Sequence, residues 1–428
     1  MRTVTDSASP ALRRRAGFWW VWPLALAIAL AIPFTSHSAG LFSILNLIAI
    51  NIVFALSYNM LLGEGGLLSF GHAVFYGFGG FFAMHAMVAI GAADSVWAHF
   101  PVLGLPLIGF VGGAVVAIVI GWPICKHGGL AFAMITLGLG MLVASGANLF
   151  PSFFGGTTGI FGDRTVGPAW FGWKLVHAVD VYWFMVFWVF VAALGMWAFT
   201  RTPLGRLANA MRDNAMRLRF IGYEPRNVRF LLFIAAGAFA GMAGAMAAVN
   251  EEIANASSLS LTHSGLVLLM AAIGGFGAFY GPIIGAVLVT LMNSSLSNYT
   301  NASEFYIGLV FLSIVTFASR GMAGGLEKGW AALRGGHVRQ RIPGWLVQWL
   351  GVLLIILGLI AFVETIYQVQ NGPDVIAAAL GISFNPRVIW SWIVILVLCG
   401  GGYGILRLAR RAYAADEPDE TGGTPTHA

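Results

Sequence analysis

Charge is what this chain has least of. Only 9% of its 428 residues are Asp, Glu, Lys or Arg, where a soluble domain carries about 25%. So few charges cannot cover a water-facing surface, and 58% of the chain is hydrophobic with a mean hydropathy of +0.83. A soluble globular fold is excluded. Carboxylates are scarcer still: none of the 17 Asp and Glu residues falls at the centre of an apolar block, Glu64 and Glu364 coming nearest. Carriers coupled to protons or ions generally need an ionisable relay inside the bilayer, so the energy for any transport must come from elsewhere, or the chain is a passive pore. The two cysteines, Cys125 and Cys399, imply neither a disulfide framework nor a metal site. No Gly-Lys dipeptide occurs, which removes the P-loop and any ATP site of that kind. Neither a Gly-x-Ser-x-Gly elbow nor a His-Glu-x-x-His pair is present, and with no paired catalytic groups a membrane enzyme built on an intramembrane His has little support. No cofactor is expected.

What the chain does have is apolar blocks. A membrane crossing takes about 20 predominantly apolar residues. Crossings are predicted at Phe18–Phe34, Leu41–Leu62, Leu67–Ile90, Pro101–Trp122, Gly129–Phe150, Tyr182–Thr200, Phe230–Asn250, Glu304–Arg320, Leu346–Gln368 and Val388–Leu408. Arg13–Arg15 before Phe18–Phe34 also fits a signal peptide. A second apolar block begins at once at Leu41 with no clear small-residue cleavage site between them, so a retained span is preferred. Gly265–Met292 is apolar but interrupted by Gly-Gly-Phe-Gly-Ala-Phe-Tyr-Gly-Pro at Gly274–Pro282. It is too short for two full crossings at about 1.5 Å per residue. A broken, re-entrant pair of half-helices is expected, which membrane depth tolerates only where protein or a cavity surrounds it. The fold class is therefore an all-α polytopic membrane protein with about ten crossings plus one broken pair.

The basic residues orient these blocks. With the N-terminus inside, every Lys and Arg except Arg164, Lys174 and Arg387 falls on the cytoplasmic side, twenty of 23, as the positive-inside bias favours. The net charge of +6 is then loop arginine rather than a nucleic-acid footprint. Both termini are placed in the cytoplasm. The organisation expected is a cytoplasmic N-terminus (1–17), a membrane body (18–320), a basic Gly-rich linker (321–345), an added transmembrane hairpin (346–408) and a polar, disordered cytoplasmic tail (409–428). The outer loop Pro151–Asp180, rich in Gly and aromatics, is expected to hold a short structured element.

Three segments carry candidate chemistry. Thr200–Arg229 is the one long basic connection inside the body. Leu204, Leu207, Ala208, Met211, Ala215, Leu218 and Ile221 recur at helical spacing, with Pro203 as a start and Gly222 as a stop. Such a helix either lies on anionic headgroups or docks a cytoplasmic partner. Gly63–Phe82 places His72 among small residues; it is either a structural His satisfied by a neighbour or a pathway group. Gly274–Gly285 carries Gly277, Gly281 and Gly285 four apart, a face for tight helix packing or a backbone lining a solute route. The Gly237–Gly241 pair reads as packing. Gly63–Gly80 and Gly274–Gly285 share a glycine-rich pattern that hints at paired half-domains. Asn51, Tyr58, His72 and Thr136 are the polar candidates for lining a route, with Gly277 and Gly281. Each is also the kind of side chain that joins helices in lipid.

Tyr58–Phe82, Phe154–Gly159, Thr202–Gly222 and Gly274–Gly285 together resemble, in order and spacing, the branched-chain amino acid ABC importer permeases of the LivM type, over roughly Leu41–Arg320. The resemblance implies an ABC importer permease fold in a bacterial inner membrane. It implies as partners a second, homologous LivH-type permease, two cytoplasmic ABC ATPases and a periplasmic substrate-binding protein. The lipid bilayer surrounds the chain, and no nucleic acid is involved. Thr202–Gly222 matches the family's ATPase-coupling region, which favours docking over the lipid surface and carries over Leu204, Gly205, Arg206, Arg212, Asn214 and Gly222. Related permeases handle branched-chain or other amino acids, urea or short amides, and the separate binding protein largely selects among them. A passive channel for a small neutral solute such as urea is the rival reading; it has no need of a basic docking loop. The two spans after Arg320 depart from the family pattern.

Overall fold

A computed structural model describes residues 27, 29–33, 38–92, 96–168, 174–276, 278–296, 303–317 and 321–324, with scattered positions between 354 and 407. Most of Phe18–Phe34, Leu346–Gln368 and Val388–Leu408 falls outside the described residues. The chain divides into two compact units, Met1–Leu291 and Met292–Ala428. Among its described residues the second unit holds the helix Ser303–Phe317, with Tyr306 and Ile307 buried. The rest of the account concerns the first unit.

Among the described residues, six helices are long and apolar enough to cross a membrane. They are α1 (Ala39–Asn59), α2 (His72–Gly91), α3 (Leu105–Ile124), α4 (Leu130–Gly146), α5 (Ala178–Arg201) and, after two short helices taken up below, the long helix Pro225–Glu251. Their bounds fall within about five residues of the predicted blocks; the long helix starts at Pro225 rather than Phe230, and one block differs in kind. The block Leu67–Ile90 was expected to be helical throughout, but its helix begins only at His72. Gly66 stands at φ +66°, a left-handed conformation open to glycine at little cost, and the next residues have no regular secondary structure until α2 starts. Upstream, α1 ends in a π-helical turn, Met60–Glu64, a distortion that in other helices often marks a functional site.

The basic segment forms two helices, α6 (Pro203–Asp213) and α7 (Ala215–Phe220), before α8 (Pro225–Glu251). The interrupted block is α9 (Leu261–Gly274) and α10 (Gly281–Leu296), separated by a turn. They fold back as a hairpin: a Cβ on Gly285 would strike the Met270 carbonyl, and one on Gly274 the Gly281 carbonyl. In the loop after α4, a one-turn helix Pro151–Phe154 ends at Gly155 (φ +72°). Beyond it, β1 (Ile160–Phe161) pairs antiparallel with β2 (Ile253–Ala254).

The core is a three-helix contact of α2, α3 and α8. Gly241 of α8 sits where a Cβ would collide with the Gly109 carbonyl and the Cα of Gly113 on α3, while a Cβ on Gly79 of α2 would collide with Gly241 itself. Lipid tails are as apolar as leucine, so helices here associate through close van der Waals packing rather than the hydrophobic effect. Small residues at the crossing allow it. Phe75, Phe132 and Phe233 then interlock edge to face, with centroids 5.1 Å (Phe75–Phe233) and 5.7 Å (Phe132–Phe233) apart.

Candidate functional site

The basic segment is built by two caps. Thr202 accepts the Gly205 amide through its hydroxyl at 3.3 Å, with Pro203 at the first helical position, where no donor is missed. Asn214 stops α6 and starts α7: its φ −161°, ψ 104° is extended, and its side-chain oxygen accepts from Met216 N at 2.9 Å and Arg217 N at 3.3 Å. The single amphipathic helix expected from Leu204 to Ile221 is therefore two helices. Asn competes with the helix by bonding its own downstream amides, and the apolar spacing continues across the break. Gly222 (φ +87°) closes α7, and the Tyr223 amide reaches back to the Leu218 carbonyl at 3.0 Å.

The break redistributes the apolar side chains. On α6, Gly205, Ala208 and Met211 are buried and Leu204 is half-buried; on α7 only Leu218 is buried. Met216, Phe220, Ile221 and Tyr223 are left exposed, Phe220 at 85%. Arg206, Arg217 and Arg219 are exposed beside them. An apolar patch rimmed by arginine is the composition of a protein-docking face rather than of a solvated loop.

Two polar ties join α6 to the body. Arg212 donates through Nη1 to the Gly63 carbonyl, and Asn209 donates through Nδ2 to Glu64 Oε2. Both acceptors belong to the π-turn at the end of α1. Gly66 lets the Arg212 stem lie against the backbone: a Cβ there would stand 2.7 Å from the Arg212 Cγ. Gly63 in turn faces the Phe276 carbonyl in the α9–α10 turn, which a Cβ on it would meet at 2.9 Å. The two glycine-rich segments singled out in the sequence thus abut, with α6 tied to the first of them.

His72 is fully buried. Its Nε2 lies 3.0 Å from Ser57 Oγ, and Ser57 donates its own proton to the Phe54 carbonyl at 2.7 Å. Nε2 is therefore the protonated nitrogen and the donor. Phe54 stacks on the ring at 5.6 Å, and Tyr58 and Phe75 meet it edge-on at 5.2 and 5.8 Å. Thr136 of α4 accepts the Phe70 amide at 3.2 Å and donates to the Ala133 carbonyl at 2.9 Å, holding the irregular stretch before α2. Ser264 of α9 accepts the Ala73 amide at 3.0 Å. Asn51 donates to Thr290 of α10 at 2.8 Å. Gly281 packs on the Gly274 and Gly275 carbonyls; Gly277 lies outside the described residues. Tyr58, His72 and Thr136 are thus gathered around the start of α2. His72 through Nε2, Thr136 through Oγ1 and Asn51 through Nδ2 each make one bond between segments, while His72 Nδ1 has no hydrogen-bond partner among the described residues. Among the described residues no group of three His, Cys, Asp or Glu is placed to hold a metal ion.

Sequence reasoning passed over Asn209, the exposed Met216–Tyr223 face and the role of Gly66. Glu64 carried a signal: an acid at the end of an apolar block calls for a partner, and Asn209 is that partner.

A profile of the family described as "Branched-chain amino acid transport system / permease component" matches residues 40–320. The chain is 26% identical over 318 residues to the high-affinity branched-chain amino acid transport system permease protein LivM of Escherichia coli K12, covering 69% of this chain and 73% of that protein. It is 24% identical to a probable branched-chain amino acid transport permease protein LivM of Methanocaldococcus jannaschii, over 60% of this chain and 82% of the other. To the E. coli K12 LivH permease protein it is 23% identical, over 62% of this chain and 85% of that one. No solved structure matches.

Proposed function

The chain belongs to the family of branched-chain amino acid transport permeases, and on that premise we propose that it is the membrane-spanning subunit of an ATP-binding-cassette importer for branched-chain amino acids. It is a transport permease, not an enzyme; ATP hydrolysis falls to separate cytoplasmic ATPases. A LivH-type second permease and an exported substrate-binding protein complete the assembly in the bacterial inner membrane. The permease body spans 18–320, with 321–345 as linker, 346–408 as an added hairpin and 409–428 as a cytoplasmic tail.

The observation that carries this reading is the α6–α7 face. It is apolar, rimmed by Arg206, Arg217 and Arg219, and fastened to the body through Arg212–Gly63 and Asn209–Glu64. A passive channel for urea or short amides has no use for such a surface. In the proposed mechanism, closure of the two ATPases pushes on α6. The push passes through Arg212 to the π-turn of α1 and on to the glycine turn between α9 and α10, and the permease halves rock between inward- and outward-open states. Arg206 and Leu204 face the ATPase side of this contact, while Gly205, Asn214 and Gly222 shape the backbone that presents it.

The test is uptake of L-leucine by proteoliposomes holding the full chain with its co-purified partners. ATP-dependent accumulation is the expected result. Equal L-leucine entry without ATP, or ATP-independent permeation of urea, overturns the assignment in favour of the channel.

A further inference from the structure

Where α8 ends, the chain places two glutamates side by side and treats them differently. Glu252 is bound. It accepts the Arg164 amide at 3.1 Å and lies 3.6 Å from the Arg164 guanidinium, which also donates to the Asn250 carbonyl at 3.0 Å. These contacts, with the β1–β2 pairing, hold Glu252 at φ +56°, the one left-handed non-glycine among the described residues. Glu251 makes no ion pair or hydrogen bond among the described residues and lines a cavity of about 220 Å³. One water needs only ~10–15 Å³ measured this way, so the cavity has room for a small organic solute.

Its walls are of two kinds. Gly80 and Gly244 form a smooth apolar side where α2 and α8 touch, continued by Ala247 and Ala248. The lining also includes Tyr76, Glu251, Asn255 and His263. His263 stacks on Phe54 at 5.4 Å and meets Tyr76 at a tilt at 4.6 Å, and among the described residues its Nε2 has no hydrogen-bond partner. An unpaired nitrogen in such a place costs about 1–3 kcal/mol. Ligand sites commonly combine an apolar wall with a few polar groups that fix orientation.

We propose that this cavity is a transit subsite for an amino acid. Glu251 takes the α-ammonium group, the side-chain NH2 of Asn255 takes the carboxylate, and the Gly80–Gly244 wall takes the aliphatic side chain. The assignment rests on the importer reading above for the identity of the solute and for its approach from the periplasmic side. The ammonium is the group that selects Glu251: a carboxylate left unpaired beside an apolar wall attracts a cation and repels a free acid. One free carboxylate gives a site that holds the solute briefly and lets it leave, as conduction requires.

The test uses Ser258→Cys, at the cavity lining, in the full chain with Cys125 and Cys399 replaced by alanine. A membrane-impermeant thiol reagent is applied from outside to cells or right-side-out vesicles, alongside L-leucine uptake. L-leucine is expected to slow labelling. 4-Methylvalerate, which keeps the side chain and carboxylate but lacks the ammonium, is not. Glu251→Gln is expected to weaken both L-leucine protection and uptake by about tenfold, the worth of one charge-assisted bond, while Glu251→Asp restores part of each. Equal protection by L-leucine and 4-methylvalerate, unchanged protection in Glu251→Gln, or no labelling from outside overturns the subsite. If wild-type vesicles take up no L-leucine yet L-leucine still protects the cysteine, the subsite stands and the importer assignment falls.

Discussion

Arg212 donates from Nη1 to the carbonyl oxygen of Gly63, 149 residues earlier in the chain. The bond fastens α6 to the π-turn that closes α1, and it sets Arg212 apart from Arg206 in role. Arg212 holds α6 to the body; Arg206 is exposed.

The two arginines therefore have separable phenotypes. Arg206→Glu is expected to abolish co-purification of the ATPase subunits and, with it, L-leucine uptake. Arg212→Ala is expected to leave the ATPases bound and hydrolysing while uptake falls about tenfold or more, since a lost hydrogen bond from a charged donor is worth ~1.5–3 kcal/mol. Pull-down, ATPase rate and uptake measured on the same preparations check this. Loss of ATPase binding in Arg212→Ala, or retention of it in Arg206→Glu, contradicts the division of roles.

Asn214 caps α7 with two backbone bonds. Asn214→Ala is expected to cost about 1 kcal/mol locally and to fray Ala215–Phe220 without disturbing the spans. Limited trypsin digestion should then cut at Arg217 and Arg219 severalfold faster, with the detergent melting temperature unchanged. Asn214→Asp keeps the acceptor and should digest like the wild type.

Gly241 is wedged between Gly79 of α2 and Gly109 and Gly113 of α3. Gly241→Ala forces all three helices apart, and overpacking of this kind costs about 1–3 kcal/mol. A lower melting temperature in detergent is expected, and Gly241→Leu should yield no folded protein by size-exclusion chromatography. Gly138 and Gly265, where a Cβ meets nothing within 4 Å, should accept alanine with no loss of folded protein.

Cys125 follows the last residue of α3 and is buried. Burial pushes its thiol from 9.0 up to about 12, against a smaller downward pull from Arg229 and Arg226. The thiolate is the nucleophile, so this rise and the burial together slow alkylation at pH 8. N-ethylmaleimide should leave Cys125 unmodified in the folded chain and label it in denaturant. Rapid labelling under native conditions would show that α3 does not end as described.

The sequence by itself determined the class of molecule and the bounds of its main helices. Nine per cent charge and apolar blocks of span length leave backbone groups no water to bond, and helices follow. Pro203 and Gly222 marked both ends of the basic segment, and the glycine run at Gly274–Pro282 marked the break between α9 and α10. These signals are local: each depends on residues within a turn or two. Tertiary structure decided what the polar residues do. It gave His72 to Ser57, Thr136 to Phe70 and Arg212 to Gly63, and it split the basic segment at Asn214, leaving Phe220 and Ile221 on the surface. It also distinguished Glu252, neutralised by Arg164, from Glu251, left facing a cavity. Adjacent and identical in type, the two acids look alike in sequence; only the arrangement of β1 against β2 brings a guanidinium to one and open space to the other.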